Sequence, residues 1–208
     1  MNWTSLNIGA SRPEDYGDYY AWGDTKPYYI QQNPDIWNEG KESGYNRSTY
    51  KWYIGPPYRL TKYNDDEEDG FEGYSDGKTV LDLEDDAAYV NLGGKWRLPT
   101  IREWCELLNT CSWTWKKVNG INGIMVTSKI NGNSIFLPAA GDRWTKEHGV
   151  YSRDTGVRGA GLYGYYWSSK LPTLEPQYAW LINFGSDGVK EICDYRCAGL
   201  PIRPVSVY

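Results

Sequence analysis

The sequence predicts an α+β chain with two central helices, short antiparallel sheets and long loops, and three observations carry that prediction. Thr100 and Glu103 form a capping box ahead of apolar residues Ile101, Trp104, Cys105 and Leu108, which fall at the i, i+3, i+4, i+7 spacing of an amphipathic helix. Asn131-Gly132 joins two apolar-rich runs, Gly123–Ile130 and Asn133–Leu137, as the tight turn of a hairpin. Beyond residue 164, short aromatic and β-branched runs alternate with turn residues. Helices followed by a string of strands give α+β rather than an alternating α/β order.

The elements follow in order. A first strand is expected near Trp3–Ile8 and a short extended piece near Tyr19–Gly23. Residues 31–80 read as a loop-rich insertion, broken by Asn33-Pro34, Gly55-Pro56-Pro57 and Asp69-Gly70. Glu84–Leu92 is predicted as a helix with acidic residues in its first turn, where the helix dipole favours them. Gly93-Gly94 stops it, and Pro99 holds Leu98 extended before the second helix, Ile101–Asn109. In the following hairpin both Asn131 and Gly132 are expected at positive φ, as a two-residue type I′ turn requires. Residues 139–164 read as a Gly-rich loop. Strands are expected at Tyr165–Ser169, Ala179–Phe184, Val189–Cys193 and Ile202–Val205, with Ser186-Asp187-Gly188 turning between two of them. The whole of 1–208 is read as a single domain.

Composition narrows the function classes. The 208 residues include 19 Tyr and 11 Trp but only 3 Phe, so rings with a polar edge dominate. Such rings suit a fold that buries ring bodies under loops, and they also suit a binding surface. The net charge of −5 with no basic run argues against nucleic acid as a partner, and no apolar stretch reaches membrane-spanning length. Met1-Asn2-Trp3-Thr4 lacks the basic and apolar regions of a signal peptide. Cys105, Cys111, Cys193 and Cys197 permit three pairings or buried free thiols, and their spacing is not that of a zinc site.

Trp96-Arg97-Leu98-Pro99-Thr100 followed by Glu103-Trp104 resembles the core signature of bacterial C-type-lectin-like domains, shared with formylglycine-generating enzymes. The chain resembles most closely the Fibrobacter succinogenes major paralogous domain family, abundant in gut Bacteroidales. Further matches lie at Asn7-Ile8-Gly9-Ala10, Pro13 to Asp24, Leu60 to Asn64, Asp85-Asp86-Ala87-Ala88, Val126-Thr127-Ser128 and Asn131-Gly132-Asn133. They continue at Ile135 to Gly141, Tyr166-Trp167-Ser168-Ser169 and Ile202-Arg203-Pro204-Val205. The resemblance implies a C-type-lectin-like fold. It places the Arg97 strand in the core, which leads us to expect Arg97 at least partly buried and hydrogen-bonded. In that family the matching segment is usually preceded by more of the first strand, so the chain is expected to be a module of a larger polypeptide.

Several constellations carry residue types suited to chemistry. Asp65, Glu67, Asp69, Gly70 and Asp76 occupy positions 1, 3, 5, 6 and 12 of an EF-hand-like calcium loop, but position 12 lacks the bidentate Glu, and a solvated loop explains the run as well. Glu175-Pro176-Gln177 resembles the Glu-Pro-Asn of animal C-type lectins, with Gln177 replacing the asparagine and the partner Trp-Asn-Asp absent. Cys193 and Cys197, flanking Tyr195 and Arg196, resemble the copper-binding catalytic pair of formylglycine-generating enzymes, though one residue closer together and right beside Gly199 to Arg203. His148 is the sole histidine, so no catalytic Ser-His or Cys-His pair stands out. Asp85-Asp86 fits a helix start.

The expectation is a non-catalytic binding module without metal or other cofactor, taking an unknown carbohydrate or protein ligand at a cell surface, outside the cell or on a phage virion. A formylglycine-generating-type oxidase using Cys193/Cys197 and a structural spacer domain are the alternatives. The resemblance puts the ligand surface in the C-terminal half, the part varied in the similar variable proteins of diversity-generating retroelements. There Trp167 and Trp180 are expected in the core, and Tyr163, Tyr165, Tyr178, Tyr195 and Arg196 on the binding surface. The Tyr-rich insertion around Tyr45–Tyr63 is the next candidate surface.

Overall fold

A computed structural model describes residues 1–27, 45–47, 49–55, 57–144 and 157–206. It is a mixed α+β structure in which two α-helices accompany short antiparallel sheets. Strand β1 (Asn2–Trp3) comes first, β2 (Tyr53–Ile54) and β3 (Arg59–Leu60) form a small hairpin, and 3₁₀ turns follow at Glu67–Asp69, Phe71–Gly73 and Leu83–Asp85. Helix α1 (Ala87–Leu92), strand β4 (Trp96–Arg97) and helix α2 (Ile101–Thr110) fill the middle. Strands β5 (Cys111–Val118), β6 (Ile121–Ser128) and β7 (Ser134–Pro138) then form a three-stranded meander. After β8 (Asp142–Arg143) and β9 (Val157–Arg158), a second meander is made of β10 (Gly164–Trp167), β11 (Tyr178–Gly185) and β12 (Gly188–Tyr195). The last strand, β13 (Val205–Ser206), lies between β1 and β4 and brings the two ends of the chain together.

The α2 start forms as its sequence dictates. Thr100 Oγ1 accepts from the Glu103 amide, and the Glu103 carboxylate accepts from the Thr100 amide at 2.7 Å. The same carboxylate takes both Nη atoms of half-buried Arg97, at 2.8 and 2.6 Å, locking β4 to α2. The first helix is shorter than expected. Leu83–Asp85 is a 3₁₀ turn, and Asp86 is the N-cap of α1, accepting from the Ala88 and Tyr89 amides. Its other oxygen accepts from the Leu98 amide at 2.8 Å, so one buried carboxylate joins α1 to β4.

Two expected strands are mostly irregular. Of Trp3–Ile8 only Trp3 pairs regularly, as the second residue of β1, and Asn7 turns inward: its side chain donates to the Tyr16 carbonyl and accepts from Arg203. Likewise Ile202–Val205 contributes only its last residue to β13, since Pro201 and Pro204 have no N–H for a ladder. Of Tyr19–Gly23 only Tyr20 bridges Leu200; Trp22 and Gly23 already form a turn, closed by the Asp24 amide donating to the Ala21 carbonyl.

The hairpin at residues 123–137 exists, but its turn differs. Gly132 has φ 75° while Asn131 is not left-handed; the Ser128 amide donates to the Asn133 carbonyl around a four-residue loop, 129–132. The tight two-residue turn lies one hairpin earlier. Asn119 (φ 47°) and Gly120 (φ 88°) connect Val118 to Ile121, pairing β5 with β6 along eight residues each. Strand β5 was not expected, although Trp113, Trp115 and that Asn-Gly signal it.

Two apolar clusters lie on opposite faces of the β10–β11–β12 sheet. Trp167, Ala179 and Leu181 join Trp22, Tyr50, Trp52 and Tyr63 on one side; Tyr166, Ile182 and Phe184 join Trp104, Ile124 and Leu137 on the other. The period-2 alternation of Ala179 to Phe184 makes one strand serve both. Trp167 is buried as expected, whereas Trp180 is only half-buried. No helix among the described residues is long and apolar enough to cross a membrane.

Candidate functional site

Four of the five expected surface residues form the two ends of a band of rings, and the fifth is buried. Tyr163 and Tyr165 are 6.3 Å apart at the start of β10, with Tyr163 settled over the bare backbone of Gly159 and Gly185. At the other end Tyr178 and Tyr195, register partners on β11 and β12, pack at 4.6 Å. Trp144, just past β8, meets Tyr195 edge-on at 5.7 Å. The two ends are linked by Arg158, which pairs with Asp142 and lies 5.7 Å from the Trp144 ring. Burial raises the Tyr165 phenol pKa, and the Asp142 charge adds to it. A hydrogen bond with Tyr195, followed by burial, pushes Tyr178 up to about 12. Tyr163 is exposed, and Tyr165, Tyr178 and Tyr195 are half-buried.

Arg196 is not on this surface; it is fully buried. Its guanidinium donates to the carbonyls of Tyr63, Pro176 and Lys62 and to the Tyr50 hydroxyl, each at 2.8 Å. The rings of Trp22, Tyr50 and Trp52 surround it at 5.2 to 5.3 Å. Strand β12 ends at Tyr195 and the chain turns inward, so period-2 alternation no longer applies at Arg196. The surface cation is instead Arg47, whose guanidinium lies 4.4 Å from the Tyr195 ring centre. Sequence reasoning missed Arg47, and no motif or spacing marks it. The insertion that was the next candidate surface is chiefly core: Tyr45, Tyr50, Trp52 and Tyr63 are all buried, and the rings of Tyr50, Trp52 and Tyr63 form the Arg196 cage and its wall.

The acidic run is not folded as a calcium loop. Asp66 caps the Glu67–Asp69 turn, Asp65 accepts from the Leu174 amide, and Asp76 accepts from the amides of Tyr63, Asn64 and Lys78. A tighter carboxylate group lies at Asp82, Glu84 and Asp85. Lys62 already fills it, with Nζ 2.6 Å from Asp85, 3.1 Å from Glu84 and 3.8 Å from Asp82. Lys51 takes the other Asp85 oxygen at 3.0 Å, and the Tyr63 hydroxyl donates to the same carboxylate. Asp85 is therefore the buried centre of a partly exposed ion network rather than part of a helix start.

In Glu175-Pro176-Gln177 the backbone is what matters, since the carbonyls of Pro176 and Gln177 receive the Arg196 guanidinium and amide. Cys193 is half-buried on β12 and Cys197 is buried. Burial, then the charges of Glu175 and Asp194, pushes the Cys193 thiol up to about 11. His148 lies outside the described residues. No protein-family model matches the chain, and no curated protein or solved structure matches it.

Proposed function

We propose that this chain is a non-catalytic ligand-binding module of C-type-lectin-like fold, related to the Fibrobacter succinogenes major paralogous domain family. Its work is adhesion or receptor recognition for a larger polypeptide at a cell surface, outside the cell or on a phage virion. The observation that carries this reading is the band Tyr163, Tyr165, Trp144, Tyr195 and Tyr178, with Arg47 over it. Most other rings are sunk in the core with their polar atoms tied down: Trp22 and Trp167 donate to the Ser168 and Tyr20 carbonyls, and Tyr50 to that of Trp22. The four band tyrosines instead sit at strand ends and loops, partly open to solvent, and are braced against one another and against buried Trp144. Rigid rings of this kind bind at little cost in conformational entropy. The order of motifs and the two helices set among short antiparallel sheets support the family reading.

The test is a screen of carbohydrates and surface proteins against the wild type and Tyr178→Ala/Tyr195→Ala. A ligand bound by the wild type and lost in the variant supports the reading. A ligand bound equally by both places the site elsewhere.

A further inference from the structure

We infer that the Tyr178–Tyr195 end of the band takes an acidic sugar, its carboxylate held by Arg47 and its apolar face on the tyrosine rings. This rests on the ligand-binding reading of the band and adds the chemical class of the ligand. The argument begins with where the neighbouring charges go. Arg158 is neutralised by Asp142, and Arg196 is buried and fully engaged with carbonyls and a hydroxyl. Arg47 is different: it lies over the Tyr195 ring, half-buried, with no hydrogen bond or ion pair to any described residue. A guanidinium offers five N–H donors in a planar fork that matches a carboxylate. Against a ring it is partly desolvated, which strengthens its pairing with an incoming anion.

The surroundings narrow the anion. Glu175 is exposed, and it acts on the Tyr178 phenol together with Arg47. With Asp194 next to Tyr195 as well, this end of the band carries carboxylates alongside its guanidinium, and that mixed charge repels a dense polyanion or an acidic peptide. It suits a molecule with one negative group and several hydroxyls, which Glu175 and the paired tyrosine hydroxyls can bind. The Tyr178–Tyr195 pair, tilted by 34° and braced by Trp144, supplies the fixed apolar surface on which a pyranose ring stacks. Together these are the groups a uronic or sialic acid presents: a carboxylate, a set of hydroxyls and an apolar face.

The experiment is saturation-transfer NMR and calorimetric titration of the whole chain with methyl glucuronide, methyl glucoside, methyl sialoside, acetate and an acidic peptide. Variants are Arg47→Ala, Arg47→Lys and Tyr178→Ala, each checked for folding by circular dichroism. The expected result is at least one acidic glycoside binding roughly tenfold or more tightly than methyl glucoside, an advantage weakened by salt. Arg47→Ala removes the advantage and Arg47→Lys restores only part of it. The inference is overturned if neutral and acidic glycosides bind alike, or if the advantage survives Arg47→Ala. It also falls if acetate or the peptide binds as well as the acidic glycoside, or if no acidic glycoside binds. A neutral sugar or peptide that binds the wild type and is lost in Tyr178→Ala leaves the band as the site while removing the acidic sugar. A ligand indifferent to Tyr178→Ala removes both.

Discussion

Arg196 shows what a buried charge requires in this protein. It has no carboxylate partner among the described residues; three carbonyls and a hydroxyl supply the oxygens, and three rings present their faces. Arg203 follows the same rule, donating to the Asn7 amide oxygen and the carbonyls of Thr4 and Phe136. Replacing Arg196 with Met would leave those carbonyls enclosed and unpaired. Orphaned buried polar groups cost about 1–3 kcal/mol each, so Arg196→Met is expected to lower stability by roughly 3 kcal/mol or more, measured by denaturant unfolding. A loss below about 1 kcal/mol would mean that water replaces the guanidinium without difficulty. At this scale the sequence was least legible. Arg196 follows a strand rich in surface features, and nothing in Cys-Asp-Tyr-Arg-Cys says that the chain turns inward after Tyr195. The acceptors that bury it come from Lys62, Tyr63 and Pro176, distant in sequence. Arg97 was legible because its partner Glu103 is local and belongs to the capping box.

At the scale of elements, two junctions carry testable consequences. In the β4–α2 junction, burial alone would raise the Glu103 pKa, but Arg97 and the Thr100 amide outweigh it and hold the pKa below the ordinary 4.5. A carboxyl group with a depressed folded pKa stabilises above its unfolded value, and that stability is lost as pH falls through the folded one. Stability should therefore decline as pH drops below about 4.5, and Glu103→Gln should flatten that decline while lowering stability at neutral pH. An unchanged acid limb in Glu103→Gln would assign the decline to other carboxylates. The second junction is Asn119-Gly120. Both residues are left-handed, and Gly120→Val would force a β-branched side chain into that region. The expected cost is about 1–2 kcal/mol, with β5 amides losing hydrogen-exchange protection before those of β11. An equal loss across all sheets would show that the turn is not where the strain falls. The chain contains Asn-Gly at 119–120, 122–123 and 131–132; the second lies within β6, and of the two at hairpin ends only the first makes the tight turn. Both hairpin-end pairs stand between residues of strand-forming type, Val118 and Ile121 for one and Ile130 and Ile135 for the other. What separates them is register: Val118 and Ile121 face each other across two residues, whereas the Ser128–Asn133 pairing needs four.

For the whole molecule, β11 decides how unfolding proceeds. Leu181 points into the cluster of Trp22, Trp52 and Trp167, and Ile182 into that of Trp104, Ile124 and Leu137; both are fully buried. The sequence made this strand legible as a short aromatic and β-branched run, but not the fact that each face meets a separate core. Those cores are assembled from distant segments, the first from residues near 20, 50, 63, 167 and 200 and the second from α2 and the β5–β6–β7 meander. If the cores were independent, losing one would leave the other folded. Because they share a strand, opening either removes a wall of its neighbour, and a single cooperative transition is expected. Leu181→Ala and Ile182→Ala should each cost about 2–5 kcal/mol, the range for emptying a buried aliphatic site. Tryptophan emission and far-UV circular dichroism should report the same midpoint in each variant. The sharper comparison is the tryptophan signal, since Trp22, Trp52 and Trp167 lie in the first cluster and Trp104 in the second. A biphasic curve in Leu181→Ala, with Trp104 retaining its buried emission after the other rings are exposed, would show that β11 divides two folding units.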